Sequence, residues 1–253
     1  MAHPLPMSLE AEIEALARRY RRANSPGMQV LNLVGGRAES LLDRLPTAVR
    51  TRLDESAKGA LTVALDAATR SRGVIGDQPD WLNTAVTSAM GAAGGFGGLP
   101  TALAELPVTT TILLRAIQGV AAEQGFDPAE ENVRFDCIEV FSAAGPLTSD
   151  DGADMAFLTA RMALSGPTMQ KLVASIAPRL GAVLGQKLAA QAIPVIGAVA
   201  GAATNYAYTS YYQEVARVQF GLRRLSIEHD RSHAELVSDL REAVRDVPIR
   251  KAG

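Results

Sequence analysis

Apolar residues return every three or four positions along most of this 253-residue chain, the periodicity of helices that each bury one face. Over residues 8–23 the stripe is Leu9, Ile13, Leu16 and Tyr20. Glu10 and Glu12 lie near its positive N-terminal end, and Arg18, Arg19, Arg21 and Arg22 lie toward the other. Asn24, Ser25, Pro26 and Gly27 end the pattern. A second stripe, through Val49, Leu53, Ala57, Leu61, Ala64, Leu65 and Ala68, predicts a helix that starts after Pro46 and stops near Gly73. A third is expected from about Pro107 to Glu123, closed by Gly125, Phe126, Asp127 and Pro128, and a fourth runs on toward Gly145 and Pro146. Thr148 to Asp151 reads as the start of another. Gly166, Pro167 and Thr168 open a helix toward Lys187, kinked at Pro178, where the ring removes a donor and crowds the preceding turn. Ser232 and Glu235 form a reciprocal cap on the last helix. Short β-branched runs such as Val108 to Ile112 sit inside helical periodicity, so no strand is predicted.

Two stretches, residues 81–104 and 188–213, carry no charge at all. The first contains Gly91, Gly94, Gly95, Gly97 and Gly98 before Pro100. Each glycine in a helix costs about 1 kcal/mol relative to alanine, so a break or a very close helix–helix crossing is expected there. The second is long enough for a bilayer core but rich in Ala and Gly, which weakens insertion. That composition equally suits a central helix buried on all sides. The expectation is an all-α fold in one domain over residues 1–253, a multi-helix bundle with two long Gly/Ala-rich central segments and N-terminal helices over residues 8–72.

Composition narrows the function classes. A net charge of −2 provides no field to draw in nucleic acid, which is not expected as a partner. The lone Cys137 excludes an intramolecular disulfide and a cysteine-cage zinc site, and fits a reducing compartment. The opening Met-Ala-His-Pro-Leu-Pro lacks the apolar run of a signal peptide. A cytoplasmic protein is expected, peripheral at the inner membrane face if it meets a membrane, and able to form a homo-oligomer.

Glu105 and Arg115 are charges in apolar neighbourhoods, where an unpaired charge is costly. With Thr109, Thr110 and Asn205 they form the candidate ligand-binding set, the neighbouring Thr111 adding a further hydroxyl. The structural alternative is an ion pair, or a carboxylate that caps a helix at Pro107. Ten residues apart, Glu105 and Arg115 pair directly only if the chain breaks at Pro107. Four of the five tyrosines, Tyr206, Tyr208, Tyr211 and Tyr212, close the second uncharged stretch, and Arg217, Arg223 and Arg224 follow. Amphipathic rings beside cations suggest a membrane-contact edge, with a core edge or a homodimer contact as the alternative. His229 and His233 stand four apart, but Ser232 looks like a cap between them, so no metal site is expected. Phosphate-binding, nucleophile-elbow and dinucleotide motifs are missing from the sequence, and neither cofactor nor catalytic residue is assigned.

Two segments carry a family resemblance. One is Glu105-Leu106-Pro107-Val108-Thr109-Thr110-Thr111 with Arg115 and, further on, Cys137-Ile138-Glu139-Val140-Phe141. The other is Ala192-Ile193-Pro194-Val195-Ile196-Gly197-Ala198-Val199 with Gly201, Asn205, Ala216, Arg217, Phe220, Arg223, Arg224 and Leu225. With the glycine cluster they resemble the EcsC family over about residues 85–230. The resemblance implies a bacterial helical protein linked to membrane processes and transfers no catalytic residue. The tyrosines at 206–212 depart from the phenylalanine-centred pattern expected at that point. The function expected is amphitropic binding of membrane lipid or a membrane protein without catalysis. One alternative is a membrane-inserting, pore-forming effector. Another is an enzyme on a lipid or peptide substrate that uses Glu105 and Arg115.

Overall fold

The computed structural model describes residues 7–23, 25–26, 30, 43, 45–72, 80–143, 158, 169–191 and 197–245, and among them every regular element is helical. The start expected at residues 148–151, the opening at residues 166–168 and the interruption at Pro194 lie outside the described residues. α1 (Leu9–Ala23) begins where Ser8 Oγ accepts the Ala11 amide at 3.3 Å, and it buries Ile13, Ala17, Tyr20 and Ala23. Arg19 pairs with Glu214 at 3.0 Å, and Arg21 donates to Ala243 O at 2.7 Å, so the basic end of α1 clamps two neighbouring helices.

The helix predicted after Pro46 is split in two. A short α2 (Thr47–Arg50) ends in a turn at Thr51 and Arg52, and α3 (Leu53–Arg72) carries the stripe through Leu53, Ala57, Leu61, Ala64 and Ala68 into the core.

α4 (Asp80–Glu123) runs through the glycine cluster, Pro100 and Pro107, yet it is not straight. Asn205 Nδ2 donates both to Thr87 O and to Glu105 Oε1. One nitrogen bonded to both holds those oxygens within about 6 Å, whereas eighteen residues of straight helix at 1.5 Å each separate their backbones by roughly 27 Å. The chain therefore doubles back between Thr87 and Glu105, making a first limb (residues 80–93) and a second limb (residues 104–123). Glycines and a proline are where such bends occur. Close crossing accompanies the bend, because a Cβ at Gly91 would lie 2.2 Å from Gly201 O. The close crossing expected of the cluster is thus present, and in place of a break the helix bends.

The second limb ends in a glycine-closed cap. Gly125, at φ +84°, donates to Ala122 O at 3.0 Å, and Phe126 donates to Ala121 O at 3.0 Å. α5 (Glu131–Glu139) then tightens into a 3-10 turn at Val140–Ser142. α6 (Met169–Gln191) contains Pro178, which is exposed. α7 (Gly197–Glu228) is the axis of the molecule: it packs against both limbs of α4 and against α1, α6 and α8, and from Ala207 to Leu225 it is buried almost all round. α8 (His233–Arg245) starts at the predicted reciprocal cap, with Ser232 Oγ accepting from the Glu235 amide at 3.3 Å and Glu235 Oε2 accepting from the Ser232 amide at 3.1 Å. Among the described residues no helix is long and apolar enough to cross a membrane.

Candidate functional site

Glu105 opens the second limb, and Thr109 follows one turn later on the same face. Thr109 Oγ1 donates to Glu105 Oε1 at 2.9 Å. The same oxygen accepts Lys187 Nζ of α6 at 3.2 Å and Asn205 Nδ2 of α7 at 2.8 Å. The second amide hydrogen of Asn205 reaches Thr87 O of the first limb at 2.6 Å, and the hydroxyls of Thr87 and Thr209 lie 2.7 Å apart. Two helices, α6 and α7, and both limbs of α4 are thus tied together around one carboxylate. It is 8% exposed, and Lys187 is 0% exposed.

Burial opposes the ionised form of Glu105. The Lys187 ammonium and the bonds from Asn205 and Thr109 outweigh that penalty, and the carboxyl sits below its ordinary value of 4.5. For Lys187 burial prevails over the attraction of Glu105 and holds the ammonium below its ordinary 10.5. Glu105 Oε2 has no hydrogen-bond partner among the described residues. A carboxylate with lowered proton affinity and little access to solvent is a poor general base. The arrangement suits tying helices together.

Of the candidate ligand set, the fold brings Glu105, Thr109 and Asn205 to one point. Thr110 Oγ1 instead donates to Leu106 O at 2.7 Å, and Thr111 does the same to Pro107 O at 2.7 Å. Arg115 stands ten residues beyond Glu105 in a helix that continues through Pro107, about 15 Å along the axis. The Glu105–Arg115 pairing that a break at Pro107 would have allowed is replaced by Glu105–Lys187. Sequence reasoning missed Lys187. Its signal was available, because Glu105 immediately follows one uncharged stretch and Lys187 immediately precedes the other, so a charge at the edge of each stretch neutralises the other.

The expected tyrosine edge is largely core. Tyr208, Tyr211 and Tyr212 are buried and cluster around Tyr212, which lies 5.1 Å from Phe141 and 5.2 Å from Tyr211 in edge contacts. Tyr208 donates to Val183 O at 2.9 Å, and burial, with Tyr212 and Tyr211 alongside, pushes its phenol well above 10.0. Spacing explains the sorting: 208, 211 and 212 share a helical face that 206 does not. Tyr206 alone is exposed, at 49%. The arginines expected to meet phosphates are engaged within the protein. Arg217 pairs with Glu214 at 2.9 Å. Arg223 pairs with Asp136 at 2.5 Å and lies 4.4 Å from the Phe126 ring centre. Arg224 binds Glu12 and, at 2.6 Å, Glu228. Glu12, Glu228 and His229 bring donor atoms within 4.8 Å of one another, but Arg224 already occupies both carboxylates. His233 turns away, its Nε2 3.0 Å from Leu158 O.

A different surface emerges beside Tyr206. On the first limb the exposed positions are Trp81, Ala85, Val86, Ala89 and Ala93, nearly all at four-residue spacing, while Thr87 and Gly91 face inward. On α7 Val199 and Tyr206 face out, and Gly201, Thr204, Asn205 and Thr209 face in. The fully exposed residues of the limb are apolar and its fully buried ones are Thr87 and Gly91, with Leu82, Asn83, Thr84, Ser88 and Met90 half-buried between them, a reversal of the ordinary surface helix at both extremes. Trp81, Thr84, Ala85, Ser88, Tyr206 and Ser210 line an open groove of about 420 Å³ on this face.

The EcsC protein family model matches residues 78–225, a span that contains all of α4, Lys187 and Asn205. No curated protein and no solved structure matches the chain. Because the matched span includes the bent helix, the buried node and most of the axial helix, and covers more than half of the sequence, the chain belongs to the EcsC protein family.

Proposed function

We propose that this protein is amphitropic, binding the surface of a lipid bilayer reversibly and without catalysis through the outward face of the first limb of α4 and the start of α7. The observation that carries the reading is the reversed polarity of that face. Trp81 at 69%, Val199 at 62% and Tyr206 at 49% exposure stand out from two stretches without a single charge. Water gives no reason to place a tryptophan and an alanine stripe outside and threonines inside; an apolar phase does. Trp and Tyr favour the boundary between hydrocarbon and headgroups, and helices meeting through Gly91 and Gly201 with hydroxyl and amide bonds between them resemble packing in lipid. The short exposed stripe fits a layer lying in the interface rather than a span.

The chain has a single tryptophan, so emission reports on this face directly. With phosphatidylcholine vesicles, Trp81 emission is expected to shift to the blue. In a co-sedimentation assay, Trp81→Ser with Tyr206→Ser should lower binding at least about tenfold, since burying a large apolar side chain is worth about 1.5–3 kcal/mol and 1.4 kcal/mol is a factor of ten. Because Arg217, Arg223 and Arg224 are already paired, binding should depend little on salt. Equal binding by the double variant, with no emission shift in the parent, removes the reading.

A further inference from the structure

The first limb of α4 is held on differently from the rest of the bundle. Among residues 81–93 only Thr87 and Gly91 are fully buried, while the large apolar Leu82 and Met90 are half-buried and lie outside the main core cluster. Its contacts with α7 are small and polar: Thr87 with Thr209 at 2.7 Å, Thr84 with Gln213 at 3.4 Å, Gly91 against Gly201, and the bond from Asn205 to Thr87 O at 2.6 Å. The second limb, by contrast, buries Leu106, Leu113, Leu114, Ile117 and Val120. A helix whose fully buried residues are one threonine and one glycine gains less from the hydrophobic effect than its neighbours and depends more on directed bonds.

Those bonds form a chain. Lys187 and Thr109 orient the Glu105 carboxylate, the carboxylate takes one hydrogen of the Asn205 amide, and that fixes the other hydrogen on the first limb. At the far end of the limb lie Gly94, Gly95, Gly97, Gly98 and Pro100, where the backbone reverses. We propose that Lys187, Glu105 and Asn205 are a latch that keeps the first limb closed on α7, and that breaking it at any joint lets the limb swing out about the glycine-rich bend. The closed limb presents one stripe to an interface; the open limb, uncharged from Trp81 to Ala93, presents the whole circumference of that stretch. The latch therefore regulates the bilayer-binding face and, in purpose, rests on that reading.

Amide hydrogen exchange on the full chain without lipid tests the latch itself. Two variants break it at different joints: Asn205→Ala leaves the ion pair intact, and Glu105→Leu with Lys187→Met removes both charges without stranding either. Both are expected to speed exchange over residues 84–93 by about tenfold or more while α8 stays unchanged, the mark of local opening. Unchanged exchange over residues 84–93 in both variants overturns the proposal, as does an equal rise in α8, which signals general loss of structure. Phosphatidylcholine vesicles supply the second arm, read by Trp81 emission. Half-saturation of both variants at severalfold less lipid than the parent supports the regulatory role. Faster exchange with unchanged lipid binding keeps the latch and removes its role at the membrane.

Discussion

Lys187 shows how much one side chain can determine. It is wholly buried, and its charge is tolerable only because Glu105 lies 3.2 Å away. Removing one partner strands the other, so Lys187→Met alone is expected to destabilise the fold by about 3–5 kcal/mol. Glu105→Leu with Lys187→Met should cost far less, and urea denaturation of the two proteins measures the difference. The pair also sets a pH dependence. The Glu105 carboxyl lies below 4.5 when folded and near 4.5 when unfolded, so its contribution is complete above that value and drains away as pH falls below it. The parent should lose stability through that acid range with a steeper slope than the double variant. Glu105 and Asn205 were legible as candidates from the sequence because each is a polar group in apolar company. Their convergence was not, because it requires α4 to fold back on itself.

At the scale of elements, the decisive feature is the crossing of α4 and α7. A methyl group at Gly91 would meet Gly201 O at 2.2 Å and Gly201 C at 2.7 Å, backbone atoms that cannot turn aside. Gly91→Ala is therefore expected to lower stability by about 1–3 kcal/mol in chemical denaturation, since the limb must move off its partner. Gly119, on the second limb of the same helix, has nothing within 4 Å of such a methyl. Gly119→Ala should raise stability by about 0.5–1 kcal/mol, because alanine loses less chain entropy in a helix interior. Both are glycines in one helix with opposite expected signs. Periodicity found α1, α3 and α8, each with one apolar face, and α1 and α8 also begin at side-chain caps, so local rules specify them. It was blind to the split at Thr51 and Arg52, since the apolar stripe continues in phase across that turn.

Across the whole molecule, the tyrosines separate stability from binding. Tyr208 belongs to the core around α7, and Tyr206 belongs to the outward layer. Tyr208→Ser is expected to cost about 3–5 kcal/mol through lost packing and a void. Tyr206→Ser should stay within about 0.5 kcal/mol of the parent in thermal melting while reducing vesicle binding. If Tyr206→Ser melts as early as Tyr208→Ser, the division of roles between the two faces is wrong.

From residue order alone came the helical class, the caps, the weak point at the glycine cluster, the EcsC resemblance and the two uncharged stretches. All of these depend on composition or on neighbours within a turn or two. Tertiary structure decided which charges meet, which tyrosines are buried, and that apolar residues of the first limb face outward. Each of those depends on where a long helix bends and which helix it then lies against, and no spacing along a chain records that. A reversed face becomes visible only once the inside of the molecule is known.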